Sequence, residues 1–296
     1  MTAKIISGNK IAEEMRAEMK KEIEDLKAKH NLVPGLAVVL VGENPASVVY
    51  VRNKKKSCEE IGINSFEHKL PADTSEEKLL ALVDKLNNDD SVHGILVQLP
   101  LPKQIDENKV LNKIIPTKDV DGFHPFNVGR MLVGDPIFLP CTPHGVQQML
   151  ARSGTKIAGS HVVIVGRSNI VGKPVAAILV QKAKNADATV TICHSRTKDL
   201  PAVCRLGDIL IAAIGVPEFI KADMVKEGAV VIDVGVNRVE DKSNPKGFKL
   251  VGDVDFEACK EKASAISPVP GGVGPMTITM LLHNTIRAAK LKNNIA

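Results

Sequence analysis

The spacing of apolar residues predicts alternating helices and strands in the first 100 residues of the chain. Over residues 10–30 apolar side chains recur every three or four positions, the period of an amphipathic helix. Residues 36–41 and 95–99 are short apolar runs typical of buried strands. A helix is predicted over 46–61 between them, and another after Thr74, which with Glu77 has the spacing of a capping box. This alternation favours a parallel sheet covered by helices.

A second alternation follows a different kind of segment. Residues 119–143 contain several Gly and Pro and little periodicity, which predicts an irregular segment and a domain boundary near its end. Beyond it, near-continuous apolar runs predict buried strands at 161–165, 188–193, 208–215 and 229–237. A last helix is predicted over 276–290. The pattern therefore predicts an α/β protein with two domains.

Composition narrows the class of protein. The chain has 296 residues, 44% of them hydrophobic and 25% charged, as in ordinary globular proteins. Its net charge of +5 suits anionic small molecules, and no basic tract is long enough to indicate nucleic acid. The five cysteines show no C-x-x-C spacing, which favours reduced thiols in the cytoplasm and no metal site. No apolar run predicts secretion or a membrane span.

A glycine turn between a predicted strand and a helix indicates a phosphate-binding site. Strand 161–165 runs into Gly166, and Gly172 opens the following helix. This order places backbone N–H groups and a helix N-terminus against a phosphate. Ser168 replaces the middle glycine of the usual G-x-G-x-x-G pattern, and Arg167 stands beside it. The alternative is a plain strand–helix turn with a solvated Arg167.

The end of the next strand bears on which dinucleotide would bind. An NAD site usually has Asp or Glu near the carboxyl end of this strand, where it binds the ribose 2′-hydroxyl. After strand 188–193 the chain has His194, Ser195, Arg196 and Thr197, and Asp187 lies at the wrong end. The missing acid and the two arginines favour a 2′-phosphate, and hence NADP.

A tyrosine and a lysine of the predicted helix 46–61 are candidates for catalysis. Tyr50 and Lys54 lie four apart and so share a helix face, whereas Val48, Val51 and Cys58 are expected to form a different, buried stripe. The alternative is a lysine lying over an aromatic ring at the surface.

Two polar residues of the first domain are candidates for substrate contacts. Gln98 lies in the predicted strand 95–99 and needs hydrogen-bond partners there. Asp121 lies in a turn, where its carboxylate could bind a flat heterocycle in a bidentate way or could simply be solvated.

Residues 268–275, PVPGGVGP, form either a rigid ligand-lining loop or a tight linker between domains.

Several motifs together resemble those of the methylenetetrahydrofolate dehydrogenase/methenyltetrahydrofolate cyclohydrolase (FolD) family. They are YVRNK (50–54), VQLPLP (97–102), KDVDGF (118–123), PCTPHG (140–145), GRSNIVGKP (166–174) and PVPGGVGPMT (268–277). The resemblance implies two α/β domains around a cleft. The N-terminal catalytic domain, 1–145, would bind folate and be completed by helix 278–296, and the Rossmann-like domain, 146–277, would bind NADP on a parallel sheet.

The resemblance also implies roles for individual residues. Lys54 matches the family's catalytic lysine, Tyr50 the ring that stacks on the folate, Gln98 the residue that orients the lysine, and Asp121 the group that holds the pterin. Pro268, Gly271 and Gly272 would line the substrate site. The implied cofactor contacts are Gly166, Arg167, Ser168, Ile170, Ser195, Val236 and Gly274.

The implied activity is the oxidation of 5,10-methylenetetrahydrofolate by NADP+, followed by hydrolysis of the methenyl product, in a cytoplasmic homodimer. A monofunctional or NAD-preferring dehydrogenase is the alternative, against which Lys54, Gln98 and Ser195 speak. From a different class, a nucleotide-binding sensor without chemistry of its own is also compatible with the glycine turn.

Overall fold

The chain divides into two compact units. The structure, a computed structural model, describes residues 2–245 and 247–295. The three-stranded unit comprises Glu13–Cys141 and the chain from Ile278 onwards. The six-stranded unit comprises the chain up to Ala12 and Thr142–Thr277. Residues 1, 246 and 296, which the predicted domain ranges include, lie outside the described residues.

Strands and helices alternate along most of the chain. The strands are β1 Lys4–Ile5, β2 Gly35–Val41, β3 Asn64–Leu70, β4 Gly94–Val97, β5 His161–Val165, β6 Thr189–Cys193, β7 Ile209–Ala212, β8 Val230–Asp233, β9 Asn237–Glu240, β10 Phe248–Val251 and β11 Ala265–Ile266. The helices are α1 Gly8–His30, α2 Pro45–Ile61, α3 Glu76–Asn87, α4 Glu107–Lys113, α5 Pro125–Leu132, α6 Cys141–Arg152, α7 Gly172–Leu179, α8 Leu200–Cys204, α9 Phe256–Cys259 and α10 Val273–Lys292.

The three-stranded unit is built on a parallel sheet in the order β3-β2-β4. All seven residues of β2 are buried, which explains its continuous apolar sequence. The predicted strand 95–99 ends at Val97, so Gln98 lies just beyond it. The cap of α3 is Ser75, whose Oγ accepts a hydrogen bond from the Lys78 N–H, and the predicted cap Thr74 is wrong by one residue.

The six-stranded unit contains one parallel sheet in the order β1-β11-β8-β7-β5-β6. The predicted two-domain α/β class with a parallel sheet is thus confirmed. Because every strand points the same way, all the loops that follow the strands lie at one edge of the sheet, the carboxyl edge. This is the edge at which open α/β sheets bind ligands.

The structure departs from the predicted elements where short elements are involved. The predicted strand 229–237 is two strands, β8 and the start of β9, because the chain turns at Gly235, where a Cβ would lie 2.1 Å from the Asp253 Oδ1. The antiparallel hairpin β9–β10 and strand β3 were not predicted. The segment predicted to be irregular, 119–143, contains α5. α10 begins three residues before the predicted Met276.

The first residues of the chain form a short strand in the sheet of the six-stranded unit. The predicted domain 1–145 includes them, yet β1 pairs in parallel with β11. Its two residues are too few for a periodicity to show. Among the described residues, no helix is both long and apolar enough to cross a membrane.

Candidate active site

Helix α2 carries a lysine on its buried face. Lys54 is 8% exposed and lies on the same face as the buried Val51 and Cys58. The predicted stripe of Val48, Val51 and Cys58 is therefore wrong in two respects, because the buried face of α2 includes Lys54 and does not include Val48, which is 39% exposed. Tyr50, one turn before Lys54, is 42% exposed.

The Lys54 amine has a neutral hydrogen-bond partner. Its Nζ donates to Gln98 Oε1 at 2.9 Å. Gln98 Nε2 in turn donates to the Leu99 carbonyl at 2.8 Å, which fixes the amide with its oxygen toward the lysine. The backbone N–H of Gln98 also donates to the carbonyl of Val39 in the neighbouring strand β2. The end of β4 thus holds an acceptor against the amine without adding charge.

Burial controls the protonation of this group. It lowers the pKa of Lys54, an effect that the Asp121 carboxylate opposes. Burial also raises the pKa of Asp121, and here the Lys54 amine opposes it. The structure therefore brings Lys54, Gln98 and Asp121 into one interacting group, in which both ionisable side chains are shifted toward their neutral forms.

A buried aspartate that the sequence analysis passed over shapes the turn around Asp121. Asp119 Oδ2 accepts hydrogen bonds from the His124 N–H and from Asn127 Nδ2, both at 2.8 Å. Burial raises the pKa of Asp119 to about 6. Gly122 has φ +77°, and a Cβ there would lie 2.8 Å from the Pro140 nitrogen. The hydrogen bonds of Asp119 and the close contact at Gly122 constrain the backbone of the turn and so the position of Asp121.

Two other polar residues support this turn but were not named as site residues from the sequence, although Cys141 lies in the PCTPHG motif. Asn284 of α10 donates its side-chain amide to the carbonyls of Val120 and Leu139. Cys141 donates its thiol to the Val120 carbonyl at 3.3 Å, and burial raises the pKa of that thiol. Both polar side chains hold backbone groups next to Asp121.

The glycine turn after β5 leaves backbone donors available. Gly166 (φ +128°) is packed so closely that a Cβ would lie 2.1 Å from the Ala213 carbonyl oxygen. Residues 167–170 are exposed, and within the described part of the chain their N–H groups make no hydrogen bond. Ser168 Oγ accepts from the N–H of Val171 at 3.1 Å and closes the loop onto α7. The loop presents four free N–H donors at a helix N-terminus, an arrangement that fits a phosphate.

The loop after β6 lies beside it. Val165 is paired with Cys193, and the Gly166 N–H donates to the Cys193 carbonyl at 2.8 Å. Ser195 and Arg196 follow there and are exposed, as is Arg167, which forms no ion pair with any described residue. No acidic side chain occupies residues 194–197. These residues fit an additional anionic group better than a bare ribose hydroxyl.

The remaining predicted cofactor and substrate residues lie at the same carboxyl edge. Val236 follows β8 and is 48% exposed. The segment 268–275 follows β11, and the Gly271 carbonyl accepts the Asn9 N–H at 3.1 Å. A Cβ on Gly272 would lie 2.5 Å from the Pro268 carbonyl oxygen, whereas Gly274 has open space. The strand directions thus gather Gly166, Arg167, Ser168, Ile170, Ser195, Val236, Pro268, Gly271, Gly272 and Gly274 at one edge of the sheet.

Comparison with known proteins matches both parts of the chain. Residues 6–121 match the catalytic domain of tetrahydrofolate dehydrogenase/cyclohydrolase, and residues 140–293 match the NAD(P)-binding domain of the same family. The bifunctional protein FolD of Syntrophobacter fumaroxidans is 58% identical over 296 residues, which cover 100% of both chains.

Solved structures agree. The bifunctional FolD of Campylobacter jejuni is 48% identical with a TM-score of 0.91, covering 98% of this chain and 99% of that one. The Trypanosoma brucei enzyme, solved with NADP and an inhibitor, is 40% identical with a TM-score of 0.93, covering 99% of each. The resemblance inferred from the motifs is confirmed: the chain belongs to the tetrahydrofolate dehydrogenase/cyclohydrolase family.

Proposed function

We propose that this chain oxidises 5,10-methylenetetrahydrofolate with NADP+ and then hydrolyses the methenyl product to 10-formyltetrahydrofolate. The observation that carries the proposal is the buried Lys54 amine, 2.9 Å from the neutral Gln98 amide. Family membership over the full length of the chain supports both activities.

The oxidation demands positioning more than proton transfer, because the methenyl cation that forms is stabilised by its two flanking nitrogens. NADP+, when bound, accepts the hydride that leaves the methylene carbon. Tyr50 presents an exposed ring on which the flat folate can stack, and Asp121 can accept hydrogen bonds from the pterin. These contacts hold the reacting carbon in a fixed place, which is the main requirement of the step.

The hydrolysis needs a base, and Lys54 supplies it. Water adds to the methenyl carbon while the neutral amine takes a proton from that water. The bond from this carbon to N5 then breaks, and N5 receives a proton as the formyl group remains on N10. Burial lowers the pKa of Lys54, which makes the neutral amine more abundant near pH 7. Gln98 holds the amine without the charge that would raise this pKa again.

The loops after β5 and β6 would hold the cofactor phosphates. The free N–H groups of residues 167–170 can bind the pyrophosphate, and Arg167 with Ser195 can bind the 2′-phosphate. No acidic residue lies at 194–197, directly after β6, where it would favour the ribose hydroxyl of NAD+. We therefore propose NADP+ as the preferred acceptor.

The decisive test of the hydrolytic role is Lys54→Met, which keeps the buried volume and removes the amine. We expect hydrolysis of methenyltetrahydrofolate to fall by about 10²–10⁴-fold, the typical contribution of a general base. Folate binding should persist. Lys56→Met is the control, since Lys56 lies two residues on with its side chain 76% exposed. Equal hydrolysis rates in wild type and Lys54→Met would refute the proposal.

The cofactor preference is tested with Arg167→Ala. Loss of a charge-assisted hydrogen bond of about 1.5–3 kcal/mol should raise the KM for NADP+ by about 10–100-fold and leave the KM for NAD+ within about twofold. Arg205→Ala, an exposed arginine of the same unit, should change neither. An unchanged ratio of the two KM values would show that Arg167 does not contact the 2′-phosphate, and would favour the NAD-preferring alternative.

We also propose that the enzyme is a homodimer of the cytoplasm. The homodimer is implied by the family resemblance. All five cysteines are buried free thiols, which supports a reducing compartment.

A further inference from the structure

Two aspartates are buried at the carboxyl edge of the six-stranded sheet and take no part in the proposed chemistry. Asp233 ends β8 and is 3% exposed, and Asp253, just after β10, is 0% exposed. Neither forms an ion pair with any residue that the structure describes. A buried carboxylate without a cation is stable only where hydrogen bonds replace its hydration.

Asp253 joins two loops through its two oxygens. Its Oδ2 accepts the backbone N–H groups of Ile214 at 2.7 Å and Gly215 at 2.9 Å, in the loop after β7. Its Oδ1 accepts the side-chain amide of Asn237 at 2.9 Å, after β8. One side chain therefore sets the distance between the two loops.

Asp233 holds Asp253 in place. Its Oδ1 accepts the N–H groups of Gly235 and Asp253, and its Oδ2 accepts that of Val254, at 2.9 to 3.0 Å. Its own N–H donates to Ser267 Oγ at 2.8 Å. Burial and the neighbouring Asp253 charge raise the pKa of Asp233 to about 7.

Two glycines of the surrounding chain make room for these carboxylates. A Cβ on Gly235 would lie 2.1 Å from Asp253 Oδ1, and a Cβ on Gly252 would lie 1.7 Å from Asp233 Oδ2. Both glycines are therefore required by the carboxylates. The cluster is closely packed, so a change in either aspartate is transmitted to the loops.

The position of these loops connects them to the cofactor. In the sheet order, β6 lies on one side of β5, and β7 and β8 lie on the other. A dinucleotide that places its pyrophosphate over the loop after β5 extends its adenosine half toward one side and its second half toward the other. With the 2′-phosphate group over β6, the nicotinamide half lies over the loops after β7 and β8. The exposed Val236 is the residue next to Asn237 in the second of these loops.

We propose that Asp253 is a positioning residue for hydride transfer: it fixes the loops after β7 and β8 that form the wall of the nicotinamide site. The inference rests on the proposed function. Asp253 does not touch the cofactor itself and acts through Ile214, Gly215 and Asn237.

The test compares Asp253→Ala with Asp208→Ala. Asp208 also accepts a backbone N–H, from His161 at 2.9 Å, and it pairs with Lys226, but it precedes β7 at the opposite edge of the same sheet. We expect kcat for NADP+ reduction to fall by about 10–100-fold in Asp253→Ala, because small displacements of a reacting group have effects of this size. The KM for NADP+ should change less than about threefold, since the adenosine half is held elsewhere. Asp208→Ala should leave both constants unchanged.

Hydrolysis of methenyltetrahydrofolate is the internal control, because Lys54 and Gln98 lie in the three-stranded unit. It should stay within about twofold in both variants. Asp253→Asn should regain most of the rate, since its oxygen can serve the two backbone N–H groups while the Asn237 amide turns to accept from its nitrogen. If Asp253→Ala does not fold, Asn237→Ala removes only the hydrogen bond between Asp253 and the loop after β8. This variant should still lower kcat by a larger factor than it changes the KM for NADP+.

An unchanged kcat in the folded variant, or an equal loss of both activities, would overturn the inference. A wild type that hydrolyses the methenyl substrate but does not reduce NADP+ would instead overturn the proposed function.

Discussion

At the scale of single residues, the environment of Lys54 decides its chemistry. An exposed lysine is protonated at neutral pH and cannot act as a base. The neighbours of this one are apolar or neutral, apart from the Asp121 carboxylate, whose effect on the pKa is smaller than that of burial. The neutral amide of Gln98 therefore supports the function of the amine, because it fixes the position of Nζ and adds no charge.

This balance predicts the effect of Gln98→Glu. A carboxylate 2.9 Å from the amine would favour the ammonium form and raise the pKa of Lys54, by about 1–3 units for a close pair. Hydrolysis requires the neutral amine. The pH at which the hydrolysis rate rises should therefore increase by at least about one unit, and the rate at pH 7 should fall about tenfold. The pH–rate profile measures this.

Gln98→Met is the matched variant, because it removes the amide oxygen without adding charge. The pH–rate profile of this variant should not shift to higher pH. A Gln98→Glu profile that coincides with that of the wild type would contradict this account of the amine.

At the scale of elements, the short turns fix the site as much as the helices do. The turn at 119–122 has a buried carboxylate at its start and a glycine at its end, and both are needed to hold Asp121. Gly122 combines a positive φ with contact to the backbone at Pro140. Backbone atoms cannot move aside as a flexible side chain can.

We therefore expect Gly122→Ala to lower the free energy of unfolding by about 2–4 kcal/mol, of which the positive φ accounts for about 1 kcal/mol. Gly62→Ala is the control in the same unit: it has φ +91°, but its Cβ would be at an ordinary 3.6 Å from Ile23. It should lose about 1 kcal/mol. Urea denaturation measures both, and equal losses would show that the contact with Pro140 is relieved without cost.

At the scale of the whole molecule, each unit is assembled from separate parts of the chain. The boundaries at 12/13 and 277/278 fall inside α1 and α10, so both helices contribute residues to each unit. The described residues near both ends of the chain therefore pack within units whose other residues lie far away in the sequence. Lys290 pairs with Glu22, for example, and joins the last helix to the first within the three-stranded unit.

The proposed homodimer is also tested at this scale. Sedimentation equilibrium of the full chain should give twice the 31.8 kDa of one chain at micromolar concentration. A single species at the mass of one chain would contradict the proposal.

The sequence by itself determined the fold class, the family and the glycine turn. Continuous apolar runs such as 36–41 and 161–165 indicate buried parallel strands because both of their faces must be covered. The motifs have specific spacing over the whole chain, so the family could be identified without coordinates. The short strands could not be predicted from the sequence, because the two residues of β1 or the four of β9 are too few to show a periodicity.

Only the tertiary structure decided which polar residues are buried and what they contact. The helical period alone could not tell that Lys54, rather than Val48, faces the interior, because that depends on what packs against α2. Asp119, Asp233 and Asp253 were ordinary aspartates of turns and strand ends in the sequence. Their roles arise from hydrogen bonds to backbone groups distant along the chain, and only folding brings those groups within reach.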